Sequence, residues 1–168
     1  MIKVVDATTA EQLDAVRQLC WAYRDFLLTF DAENARIIRT FYPHDVYTDL
    51  MENLTRDSAP PHGSVKLALK DGEPVGCGMS RTLEPGVAEI KRVYVTDAAR
   101  GTGAGRAIMT ALIDQCRADG FKMIRMDTGK PLKAATQLYL SLGFELRRPY
   151  YDVPEIADGL LLFFEMRL

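Results

Sequence analysis

The sequence predicts a mixed α/β fold, a sheet with helices on its faces, and three observations carry that reading. Val65, Leu67 and Leu69 alternate with polar residues and run into Asp71-Gly72, the pattern of a strand entering a hairpin turn. After Arg106 the apolar period lengthens: Ile108, Leu112 and Cys116, with Met109 and Ile113 beside them, form the buried stripe of a helix. The 168 residues, 48% hydrophobic and 26% charged, suffice for a single domain over residues 1–168 with one proper core, and are unlike a disordered chain.

Met1 to Asp6 reads as a first strand, with Ile2, Val4 and Val5 as its apolar bulk. Thr8 followed by Glu11 is a capping-box pattern, and the helix it starts carries Leu13, Val16, Cys20, Tyr23 and Leu27 on one face. Val46, Leu50 and Leu54 recur one turn apart in a second helix, which Pro43 starts or kinks because proline removes a backbone donor. Asp57 to Gly63, with two prolines and a glycine, is a loop. Beyond the Asp71-Gly72 turn the chain returns as a strand from Val75 to Thr82, and Pro85-Gly86 turns it again into Val87 to Val95. Gly120 ends the helix built on Ile108, Leu112 and Cys116, and Phe121 to Met126 is another strand. Pro131 opens a further helix with Leu132, Ala135, Leu138 and Leu142, stopping at Gly143. Phe144 to Tyr151 and Leu160 to Leu168 close the chain as a pair of strands, giving the order β-α-α-β-β-β-α-β-α-β-β.

Composition removes several function classes. A formal net charge of −2 argues against nucleic acid as a partner, since affinity for a phosphate backbone rests on a basic surface. Cys20, Cys77 and Cys116 are odd in number and far apart in sequence, so they read as small buried apolar residues rather than a disulfide framework or zinc site. His44 and His62 stand alone, which leaves metal chemistry unsupported and no metal expected. No basic-then-apolar leader opens the chain and no apolar run reaches membrane-spanning length, so the expectation is a cytoplasmic protein with no membrane partner.

The stretch that carries chemistry is Arg100-Gly101-Thr102-Gly103-Ala104-Gly105-Arg106, between a strand and an amphipathic helix. Alternating glycines let the backbone bend and admit a close ligand. The N–H groups entering a helix lack intrahelical partners, and the dipole makes that end positive, so a phosphate-bearing ligand is the natural occupant. Arg100 and Arg106 reinforce the site. The alternative is a flexible turn with no ligand. Two other phosphate motifs do not match: no Gly-x4-Gly-Lys-Ser/Thr string occurs, and a dinucleotide fingerprint needs glycine where Arg106 stands.

Arg100 to Gly105 resembles the Gln/Arg-x-x-Gly-x-Gly/Ala signature of the Gcn5-related N-acetyltransferases (GNAT). Glu89-Ile90-Lys91-Arg92-Val93-Tyr94-Val95 is similar to that family's fourth strand, and Ala135 to Phe144 resembles its A-x-x-LY-x-x-x-GF helix and following strand. The three pieces stand in order across Val87 to Tyr151. The resemblance implies a mostly antiparallel central sheet of six to seven strands flanked by about four helices, and acetyl-CoA as co-substrate.

It also implies roles. The backbone amides of Arg100, Gly101, Thr102, Gly103, Ala104, Gly105 and Arg106 would hold the coenzyme A pyrophosphate. Val93, Tyr94 and Val95 would pair with the pantetheine arm like an added strand, and the Val95 N–H, or a neighbour's, would polarise the thioester carbonyl. Tyr139 matches the family's frequent general acid, which protonates the departing thiolate; the alternative is a core aromatic on a helix, and the LY…GF pattern favours the acid. Glu89 stands where several members carry a base, acting directly or through water, or else it is a strand carboxylate pairing with Lys91 or Arg92. Many members carry an asparagine where this chain has Leu132, which removes one cofactor contact; Lys130 or Lys133 are alternative phosphate contacts or solvated charges.

Family acceptors are gripped by the first two helices and the last strand pair, here Cys20 to Tyr47 and Tyr150 to Asp158. Trp21, Tyr23 and Arg24 lie there, and so do Tyr150 and Tyr151, of which adjacent strand positions would let at most one face the site. The expected reaction is direct acetyl transfer to a primary amine of a small molecule or amino acid. A non-catalytic acyl-CoA sensor and a protein or peptide N-acetyltransferase are the rival readings. The apolar strand Leu160 to Leu168 suits a homodimer interface or, more simply, sheet core.

Overall fold

In the computed structural model, which describes residues 1–168, the chain begins with β1 (Ile2–Asp6) and four helices, α1 (Ala10–Phe30), α2 (Ala32–Phe41), α3 (His44–Glu52) and α4 (Leu54–Ser58). A meander follows, β2 (Gly63–Lys70), β3 (Glu73–Glu84) and β4 (Val87–Val95), then α5 (Ala104–Ala118), β5 (Met123–Gly129), α6 (Lys133–Ser141), β6 (Glu145–Arg147) and β7 (Leu161–Arg167). The seven strands form one sheet in the order β1-β2-β3-β4-β5-β7-β6. Only the central β4–β5 pair is parallel. No helix is long and apolar enough to cross a membrane.

The start of α1 is a capping box one residue later than expected: the Thr9 side chain accepts from the Gln12 N–H, and Gln12 Oε1 accepts from the Thr9 N–H. The two helices expected before the meander are four: α2 lies between them, and the stretch carrying Val46, Leu50 and Leu54 is divided. Asp31 adopts an extended conformation that ends α1 and caps α2, its carboxylate accepting from the Asn34 N–H at 2.7 Å. Pro43 starts α3 rather than kinking a longer helix, and Asn53 divides α3 from α4, which carries helix as far as Ser58 into the expected loop.

The last strands are also redrawn. β6 spans three residues instead of reaching Tyr151, and β7 lies inside the sheet, paired with both β5 and β6. Its apolar residues Phe163 and Phe164 are core, and β6 covers the outer edge of β7 over residues 163–165. Both faces of the sheet are covered. α5 packs Ile108, Met109 and Leu112 on one face, while Val16, Leu19 and Cys20 of α1 meet Leu67, Cys77 and Met79 on the other. Folding brings the Cys20 and Cys77 sulfurs, 57 residues apart in sequence, to 4.0 Å.

Close packing of α5 fixes where its N-terminus sits. A Cβ on Gly78 of β3 would lie 2.8 Å from Ile108 Cγ2 and 3.0 Å from Leu112 Cδ1, so glycine there lets the helix approach the sheet. At the far end of α6 the chain reverses at Gly143 (φ 102°). The Phe144 N–H bonds back to the Tyr139 carbonyl and the Gly143 N–H to that of Leu140. That is a Schellman stop, in which Tyr139 and Phe144 occupy the two positions whose side chains meet. Their rings are 6.2 Å apart, so the LY…GF pattern locks Tyr139 against the core.

Candidate active site

β4 and β5 pair through only three residues, Val87–Met123, Ala88–Ile124 and Glu89–Arg125. Beyond Glu89 they diverge, because β4 carries a bulge. Cys77 pairs with Tyr94 and Met79 with Lys91, so Gly78 alone faces Arg92 and Val93, and Arg92 takes a left-handed φ of 55°. The rest of β4, through Val93, Tyr94 and Val95, keeps its pairing with β3 but has no strand on its other side. Its backbone groups facing the gap are available to an extended ligand.

The gap leads at one end to the glycine-rich loop. There the Arg100 N–H bonds to Asp97 and the Thr102 N–H to Ala99, while Ala107 is the first residue of α5 bonded into the helix, to Gly103. The N–H groups of Gly101, Gly103, Ala104, Gly105 and Arg106 have no protein acceptor, so five of the seven expected donors are free. Gly103, at φ 85°, is the N-cap, a conformation that suits glycine. The Arg100 guanidinium pairs with Asp97 at 3.1 Å and lies 4.9 Å over the Phe26 ring. Arg106 donates to the Ser141 hydroxyl at 2.6 Å, tying α5 to α6. Leu132 places an apolar side chain on the gap, and Lys130 and Lys133 are exposed.

At its other end the gap widens into a cavity of about 510 Å³ walled by α1, α2, β4, β5, α6 and the segment Tyr151–Ala157. Tyr139 lines it. The ring is buried edge-on against Phe164, 5.5 Å away, yet the hydroxyl hydrogen-bonds to no protein group. Burial, and secondarily the charge of Asp127, pushes its pKa well above the usual phenol value. It is therefore a neutral proton donor facing open space.

Glu89 is buried one layer behind the cavity. Its Oε1 accepts from Arg81 Nε at 2.8 Å, with Lys91 Nζ 3.8 Å away, and its Oε2 accepts from the Tyr150 hydroxyl at 2.6 Å. Asp127, which sequence reasoning missed, stands on the cavity wall and accepts from the Tyr151 hydroxyl at 2.6 Å. Burial raises its pKa, with Lys91 acting in opposition. The signal for Asp127 was its parity: Ile124, Met126 and Thr128 of β5 point into the core, so Asp127 points the other way.

Tyr150 and Tyr151 lie beyond β6 in an irregular segment rather than in a strand, and of the two only Tyr151 lines the cavity. Both hydroxyls reach carboxylates on the split strands, their rings 5.3 Å apart and each edge-on to Phe163. From α1, Tyr23 and Arg24 reach the cavity, while Trp21 packs edge-on against Tyr47, 4.8 Å away.

Comparison with known proteins agrees with this geometry. A family model described as the acetyltransferase (GNAT) family matches residues 24–144. An uncharacterized N-acetyltransferase of Schizosaccharomyces pombe is 33% identical over 108 residues, 63% of this chain and 66% of that protein. The IAA acetyltransferase of Azospirillum brasilense is 34% identical over 111 residues, 66% of this chain and 71% of its own. The chain thus spans about two thirds of the length of these relatives. A crystal structure of the PaiA N-acetyltransferase from Thermoplasma acidophilum in complex with coenzyme A shares the fold, with a TM-score of 0.72 at 14% identity over 100% of this chain and 99% of that one. A sheet split beside a glycine-rich helix entrance, matched by the family model over more than half its length, places this chain in the acetyltransferase (GNAT) family.

Proposed function

We propose that the chain transfers the acetyl group of acetyl-CoA to the primary amine of a small molecule, by direct attack with both substrates bound. The split between β4 and β5 carries this reading, because it joins five unpaired amides at one end to the unpartnered Tyr139 hydroxyl at the other. Bound acetyl-CoA supplies an activated thioester. The free N–H groups of Gly101, Gly103, Ala104, Gly105 and Arg106 hold its pyrophosphate, with the α5 dipole adding positive character. The free side of Val93, Tyr94 and Val95 takes the pantetheine arm as an extra strand, and an N–H at the Val95 end polarises the thioester carbonyl.

Tyr139 then gives its proton to the departing sulfur. For the amine proton the wall offers Asp127, and we assign it that role, because Glu89 has both oxygens engaged and does not line the cavity. Glu89 instead holds Tyr150 and Lys91 in place beside it. The concave cavity, lined mostly by apolar side chains of α1, α2, β4 and β5, suits a small acceptor.

Free thiol release from acetyl-CoA across a panel of amines, beside coenzyme A affinity, tests the reading. With Tyr139→Phe the turnover should fall on the order of 10²-fold while coenzyme A affinity changes by less than about twofold. A wild-type protein that binds coenzyme A tightly and acetylates no amine would sink the catalytic reading in favour of a sensor.

A further inference from the structure

Two cations of the cavity have no carboxylate partner within the chain. Its charged lining groups are Arg24, Lys91, Arg92, Asp127 and Asp152. Lys91 has Glu89 at 3.8 Å, and Asp127 has the Tyr151 hydroxyl. No carboxylate lies within 4 Å of either Arg24 or Arg92. Arg24 spends only its Nε, on the Tyr42 carbonyl at 3.0 Å, and its guanidinium is held 5.8 Å from both the Trp21 and Tyr47 rings. Arg92 makes one weak contact, from Nη1 to Met79 Sδ at 3.6 Å. A guanidinium carries five donors, and both residues are half-buried, where unmatched charge is unfavourable.

The backbone points the same way. Arg92 sits at the β4 bulge with a positive φ, a conformation L-residues avoid, so the fold holds this side chain at the mouth of the split under strain. Both arginines act on Tyr47, whose hydroxyl donates to the Cys20 carbonyl at 2.8 Å and which carries no negative charge to match theirs. Asp127 comes from the other strand of the split. Two planar cations without carboxylate partners, from α1 and β4, and a carboxylate from β5 line one cavity and match a ligand with an anionic end and an amine end. The planar fork of a guanidinium fits a carboxylate through paired N–H···O bonds.

We propose that the acceptor is an amino acid or similar amino carboxylate, its carboxylate received by Arg24 and Arg92 and its amine presented to Asp127. This rests on the acetyl-transfer reading above and names the substrate class of that site. The test sets amino acids beside their carboxamides and their decarboxylated amines as acceptors. The acids should be favoured at least about tenfold in kcat/KM, because a neutral analogue leaves both guanidiniums unmatched. Arg24→Gln and Arg92→Gln should each erase that preference mainly through KM, and Arg24→Lys and Arg92→Lys should restore part of it. Thermal melts separate this from misfolding.

Equal use of the carboxamides by the wild type, or a preference that survives in folded glutamine variants, would overturn the proposal and leave acetyl transfer standing. If no amine is acetylated, the transfer reading fails and the anion site is judged alone. Trp21, the single tryptophan, lies beside Arg24 and reports binding by fluorescence. N-acetyl amino acids should then saturate at concentrations about tenfold below their carboxamides. Equal titrations would refute the carboxylate site.

Discussion

The Tyr139 hydroxyl and the Asp127 carboxyl share one cavity, and burial acts on both in the same direction: each keeps its proton to higher pH than usual. For Tyr139 this preserves the donor. For Asp127 it delays the base, so kcat/KM should fall as pH drops through a carboxyl pKa displaced upward from the ordinary range, and Asp127→Asn should lose both rate and that acid limb. The same shift has a stability consequence of opposite sense. A group whose folded pKa is raised favours the folded state while protonated, and that stabilisation is lost as pH rises through the folded value. Asp127→Asn should therefore melt higher than the wild type at neutral pH, with the difference closing near pH 4, as differential scanning at several pH values would show. Among single residues, Tyr139 was legible because its motif is local, a Schellman stop plus an aromatic contact. Asp127 was not, because its setting is made by strands that part company far away in sequence. Nor was the pairing of Tyr150 and Tyr151 with two carboxylates, which depends on β6 stopping at Arg147.

At the scale of elements, the entrance to α5 is the feature most exposed to mutation. Gly103 is its N-cap at φ 85°, with open space where a Cβ would go, so Gly103→Ala meets backbone strain rather than a clash. The substitution should cost about 1–2 kcal/mol of stability or, if the turn rearranges, remove the free amides and weaken coenzyme A binding; calorimetry and a thermal melt on one variant distinguish the two. Elements bounded by their own chemistry were readable in the sequence: the hairpin at Asp71-Gly72, the stops at Gly120 and Gly143, and the strand that leads into the glycine-rich loop. The helix Ala32–Phe41 was not, since it is ten residues long and is set off from α1 by a single extended residue, Asp31, whose side chain caps it. That hidden break matters to the site, because α2 forms part of its wall.

For the molecule as a whole, α5 must sit close on the meander for its N-terminus to meet the split. Gly78→Ala would push a methyl to 2.8 Å from Ile108, and overpacking of this kind costs about 1–3 kcal/mol, so its melting temperature should fall by several degrees. The strand count and mixed topology were legible from periodicity and the family motifs. The depth of the split was not, because it follows from the Arg92 bulge, which no local pattern announces.

The split also divides labour between two mechanical units. β5 is held by seven pairings to β7 and three to β4, so Asp127 belongs with the C-terminal strands, whereas Arg92 and the glycine-rich loop belong with the meander. An acceptor held by both Arg92 and Asp127, as proposed above, would bridge the same two units that a thioester arm in the split would bridge. On that reading each substrate should bind more tightly in the presence of the other, a heterotropic synergy that titrations of one with and without the other would measure.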